Sequence, residues 1–163
     1  MSGVPSLPQM VLEGIEIPEA SSLSQAFKRR AASLIAAGPP PLDAETERRM
    51  RYAVSDLVDD LRAPRSRDEL MASGARLYEQ LADYCLRRRG RWSAKGKSMP
   101  RALRQADVAM SGAFSDAFTA LFTRGEPGAV IALAEEIMRE SGGPLFDGFR
   151  SDAPPAWRRL PGA

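Results

Sequence analysis

The stretch RRRGRWSAKGKSMPRALR, residues 87–104, carries eight Arg or Lys and no Asp or Glu. Its cations surround a loop: Gly90 and Gly96 free the backbone, and Lys95 and Lys97 stand just before a helix start expected near Ser98 and Pro100. Free backbone N–H groups at that helix start, the positive end of its dipole and two lysines would converge on one spot, which suits a phosphate. Trp92 adds a flat face for a base or an arginine. The candidate ligand-binding residues are therefore Arg88, Arg89, Arg91, Trp92, Lys95, Lys97 and Arg101. The P-loop pattern G-x-x-x-x-G-K-[ST] is absent, and no strand precedes the segment. Phosphates on a nucleotide, phosphates on a nucleic acid and a solvated cationic loop are all compatible with these residues.

Other chemistry is thinly supplied. The chain has no His, which removes Ser-His-Asp and Cys-His triads and His-ligated zinc together. Cys85 falls on the apolar stripe of its helix and reads as a small buried hydrophobe rather than a nucleophile. In SDLVDDLR, Asp56 and Asp60 lie one helical turn apart and could share a metal or take an arginine. A solvated helix face, with Arg49 or Arg62 as partners, is the default for such aspartates. No catalytic residue and no metal ligand is assigned.

The elements that must hold the loop are helical. Ser22 and Gln25 read as a capping box opening a helix with Leu23, Phe27, Leu34 and Ile35 on one face, ended by Gly38 and three prolines. Asp43 caps a second, with Met50, Val54, Leu57, Val58 and Leu61 in its stripe. Ser66 and Glu69 open a third carrying Leu70, Leu77, Leu81 and Cys85 up to the arginine cluster. A short helix follows Pro100, then one from Asp107 with Phe114, Phe118 and Leu121, then one from Pro127 with Val130, Ala134 and Met138. The fold class is thus all-α, a bundle of five to six amphipathic helices with irregular N- and C-terminal segments. Residues 1–20, with Pro5, Pro8 and Pro18, read as an extended segment, residues 21–142 as the bundle, and residues 143–163 as an irregular Pro-rich tail.

The 163 residues suit one domain, and the net charge of only +2 makes the basicity local. A single cysteine allows no intramolecular disulfide and fits a reducing cytoplasm. No apolar run is long enough to span a bilayer, and the N-terminus lacks the pattern of a signal peptide. A cytoplasmic protein without a membrane partner is expected.

Five stretches in order, PSLPQMVLEG, AAGPPPLDAE, RMRYAVSDLVDDLR, LRRRGRWSAKGKSMPRAL and ESGGPLFDGFR, resemble the C-terminal helical half of bacterial nucleotidyltransferase-domain proteins. The likeness runs from about Pro5 to Arg150. It implies a helical domain on the substrate side of a catalytic α/β domain, in which a Gly-Ser turn and an Asp-x-Asp pair hold Mg²⁺ and a triphosphate. That signature is not in this chain, since DLVDDL has another spacing. Ser98 departs from the family's loop, which places a bulky aromatic there. The resemblance implies an accessory domain inactive alone, binding no cofactor by itself and meeting Mg-nucleotide only with a catalytic partner. The apolar MVLEGIEI gives the surface for that partner or for a homodimer, through residues 8–18. An independent module for nucleic-acid backbone, or a regulatory interaction bundle, is the alternative.

Overall fold

The computed structural model describes residues 3–17 and 21–150, and these contain seven α-helices and no strand. In chain order they are α1 (Ser6–Glu13), α2 (Ser22–Ala37), α3 (Ala44–Arg62), α4 (Arg67–Arg88), α5 (Met99–Ala106), α6 (Val108–Arg124) and α7 (Gly128–Arg139). A single 3-10 turn, Gly96–Ser98, leads into α5.

Side-chain caps set most helix starts. Asp43 accepts from the Thr46 amide at 2.8 Å, Ser66 from Glu69 at 3.1 Å and Asp107 from Met110 at 2.9 Å. The capping box of α2 lies one residue earlier than the sequence suggests. Ser21 accepts from the Ser24 amide at 3.1 Å, and the Ser24 hydroxyl accepts from the Ser21 amide at 2.9 Å. Gly125 ends α6 in the left-handed conformation, φ 72°.

The four longest-range packers close a ring: α3 lies against α4, α4 against α6, α6 against α7, and α7 back against α3. The short α5 bridges α4 and α6. Val54, Leu57, Val58 and Leu61 of α3 meet Leu77, Leu81 and Cys85 of α4 in the core, with Phe114, Phe118 and Leu121 of α6 and Val130, Ala134 and Met138 of α7. Gly74 lets α4 approach α6, because a Cβ there would lie 2.6 Å from Leu121 Cδ2. A polar network ties the ends of the ring. Ser141 Oγ donates to Glu47 Oε1 at 2.7 Å and accepts from the Tyr84 hydroxyl at 2.8 Å.

Two expectations are corrected here. The N-terminal segment is not extended, because PSLPQMVLE folds as α1. Pro5 is its N-cap and Pro8 lies in its first turn, where helices have no N–H bond to lose. The expected inward face of α2 is also exposed: Leu23, Phe27 and Leu34 face solvent, Ile35 is half-buried, and only Ala31 is buried. This helix packs along α1 rather than into the ring, and eight residues of α1 cannot cover sixteen of α2. The pair forms an arm beside the bundle.

Residues 143–150 are irregular, as expected, but not loose. Leu145 donates its amide to Ser55 Oγ at 2.9 Å, and Phe149 stacks on Tyr52 with ring centroids 4.1 Å apart. Pro154, Pro155 and Pro161 of the expected tail lie outside the described residues.

Candidate functional site

The basic loop starts where α4 unwinds. Gly90, at φ 63°, turns the chain while its amide and that of Arg91 donate to Arg87 O and Leu86 O at 3.1 and 2.9 Å. The strand-like piece that follows is held by the N-terminal residues, since the Ser93 amide donates to Gly3 O at 2.9 Å. Gly96, at φ 51°, then turns the chain into the 3-10 turn and α5.

The cations divide into two groups. Arg87 is buried, its Nη2 donating to Pro40 O at 2.9 Å. Gly3 packs so closely on it that a Cβ there would stand 2.6 Å from Arg87 Cδ. Arg88 lies between two acids, Glu47 at 3.8 Å and Glu140 at 3.6 Å. Arg89 faces Asp107 at 3.4 Å. Arg88 and Arg89 are thus matched by acids within the fold, whereas Arg87 meets a backbone carbonyl and its buried Nη1 has no hydrogen-bond partner. By contrast, Arg91, Lys95 and Lys97 are exposed and have no ion-pair partner among the described residues. Arg101 is exposed too, and spends one N–H on Ser98 Oγ at 3.1 Å.

The expected convergence of free amides is reduced. The Ser98 amide donates to Lys95 O at 3.2 Å, that of Met99 to Gly96 O, and Pro100 has none. Any phosphate here therefore depends chiefly on side chains. Trp92 is less free than a solvent-facing ring: its indole N–H donates to Ile35 O at 3.0 Å. It joins the loop to the end of α2 and fixes one wall of a cavity.

That cavity, about 320 Å³, lies between α1, the end of α2, the loop and α5. Leu12, Ile35 and Trp92 give it apolar walls, while Glu13, Ser93 and Arg101 give it polar ones. A hollow of about 220 Å³ adjoins it, sharing Glu13, Ser98 and Arg101 and adding Lys95. Sequence reasoning missed Glu13 and Ser93. Both lie in stretches already noted, but neither is singled out there by type or spacing, and both reach the site through the fold of the N-terminal residues.

The other candidates resolve simply. Asp56 is exposed, Asp59 pairs with Arg62 at 3.5 Å, and Asp60 accepts weakly from Ser73 at 3.5 Å. Arg49 pairs with Glu45 instead. No three His, Cys, Asp or Glu side chains come together as a metal site among the described residues. Cys85 is buried; burial pushes its thiol up, against a smaller downward pull from Arg89. Among the described residues, no helix is long and apolar enough to cross a membrane.

The stretches that carry the resemblance meet one another in space. Arg87 bonds to Pro40, Ser55 holds Leu145, and Tyr52 stacks on Phe149. No protein-family model, curated protein or solved structure matches the chain.

Proposed function

We propose that this chain is a non-catalytic helical accessory domain of a nucleotidyltransferase-type system, whose basic loop engages phosphate groups. The observation that carries the reading is the split among the cations. Arg88 and Arg89 face acids, whereas Arg91, Lys95 and Lys97 project from a glycine-bounded loop without one. Unmatched cations beside a cavity raise the local concentration of anions and offer direct contacts. The nucleotidyltransferase context comes from the resemblance, which implies a separate catalytic domain to supply the Mg²⁺ chemistry.

Nucleotide and nucleic-acid ligands differ in their response to salt. A duplex-backbone binder loses affinity with a log–log slope of about −0.9 per phosphate neutralised. A single triphosphate gives a shallower slope and an affinity graded by phosphate number. Calorimetric titration with AMP, ADP and ATP, and with duplex DNA and RNA, across a salt series tests the reading. Affinity rising from AMP to ATP supports it. A steep slope with nucleic acid and no nucleotide binding replaces it with the backbone-binding alternative.

A further inference from the structure

We propose that the cavity between α1, the end of α2, the loop and α5 is a nucleoside-phosphate site, with the base against Trp92 and the phosphates toward Arg101 and Lys95. The inference rests on the reading of the loop as a phosphate-binding element, and adds to it a ligand class and a place.

The first observation is an unpaired hydroxyl. Ser93 is 3% exposed, it lines the cavity, and its Oγ has no hydrogen-bond partner. Proteins leave few buried polar groups unpaired, because the lost hydration is not replaced. The Ser93 backbone is fixed by its bond to Gly3 O, which holds this buried, unpartnered hydroxyl on a residue that lines the cavity, where a bound ligand supplies the missing partner.

The lining then selects the ligand. Trp92, held by Ile35 O, is a preset wall, and Leu12 and Ile35 extend the apolar surface. A flat heterocycle gains from such a wall through stacking and burial. Arg101 keeps guanidinium donors beyond the one used on Ser98, and a planar fork suits phosphate. Lys95 stands in the adjoining hollow, where further phosphates would run.

Glu13 excludes a bare anion site. Its carboxylate lines both hollows and is positioned by Gln9 Nε2 at 2.9 Å. Such a group repels phosphate but accepts hydrogen bonds from hydroxyls, as acidic residues do from ribose in dinucleotide sites. A ligand that satisfies both Glu13 and Arg101 carries hydroxyls at one part and phosphate at another. Together with the apolar wall, this describes a nucleoside phosphate.

The test uses the Trp157→Phe protein, in which Trp92 is the sole remaining tryptophan of the two. ATP, adenosine and tripolyphosphate are titrated by Trp92 fluorescence and by calorimetry. ATP should bind about tenfold or more tightly than tripolyphosphate, as stacking adds to phosphate contacts. Ser93→Ala should weaken ATP binding by about threefold to tenfold, while the ligand-free protein melts no lower than its parent. Ala102→Leu, which fills the cavity, should weaken ATP and leave tripolyphosphate unchanged. Equal binding of ATP and tripolyphosphate, with both variants indifferent, overturns the cavity site but keeps the phosphate loop. Absence of binding by either ligand overturns both. Tight binding of single-stranded RNA with no mononucleotide binding overturns the cavity site as well.

Discussion

Trp92 donates its indole N–H to the backbone carbonyl of Ile35 at 3.0 Å, across 57 residues of chain. This bond joins the basic loop to the arm made by α1 and α2, which otherwise touches the ring of helices sparingly. Trp92→Phe keeps an apolar ring but removes this bond, leaving Ile35 O with only the Gly38 amide, at 3.1 Å. The cost should be about 1 kcal/mol. Hydrogen exchange should quicken across residues 22–37 more than in α3 or α4. Uniform quickening would show that the bond does not hold the arm specifically.

The core can be tested on one helix. Leu57 is buried at the centre of the α3 stripe, and Leu57→Ala should destabilise by about 2–5 kcal/mol in urea unfolding. Asp59, two residues on, is exposed and shares Arg62 with Glu135, so Asp59→Ala should change stability by about 0.5 kcal/mol or less. Similar losses from both would mean that the helix face is misassigned.

Gly74 tests the α4–α6 approach. A methyl there meets Cδ2 of the fully buried Leu121 at 2.6 Å. Gly74→Ala normally favours a helix, by about 1 kcal/mol. Here overpacking should outweigh that gain and destabilise by about 1–3 kcal/mol. A higher melting temperature for Gly74→Ala would show that the two helices part easily.

Leu7 and Met10 of α1, Leu23 and Phe27 of α2, and Ile15 and Ile17 after α1 are exposed, Ile15 by 90%. Exposed apolar groups in this number usually mark a contact. In a purified preparation the expected occupant is a second chain. Light scattering should show a mass that rises with concentration, and Met10→Asp with Phe27→Asp should return a monomer. A concentration-independent monomer of the parent protein contradicts this.

Much of the ring was legible because its signals are local. Asp43, Ser66 and Asp107 are caps with apolar stripes directly behind them, so α3, α4 and α6 begin where sequence places them. The arm was not legible in the same way. Periodicity shows which side of α2 is apolar, but coverage of Leu23 and Phe27 depends on where the helix sits. Pro5 and Pro8 read as breakers of α1 because a helix start tolerates what a helix interior does not. In the loop, the arginines look equivalent in sequence. The acids that separate them, Glu47, Asp107 and Glu140, come from α3, the α5–α6 junction and the end of α7. Trp92 and Arg101 were found as candidates, whereas Ser93 entered the site only through its unpaired hydroxyl.

The division of the cations is the central claim, and one comparison tests it most directly. ATP is titrated against the parent, Lys95→Ala/Lys97→Ala and Arg88→Ala/Arg89→Ala proteins, with each melting curve recorded alongside. The two lysines are exposed and make no ion pair, so their loss should weaken ATP binding about tenfold or more without moving the melting temperature. The two arginines hold Glu47, Glu140 and Asp107, so their loss should lower the melting temperature and change ATP affinity by about threefold or less. Equal affinity for ATP in the parent and the double-lysine protein, or the larger affinity loss from the double-arginine protein, would contradict the account.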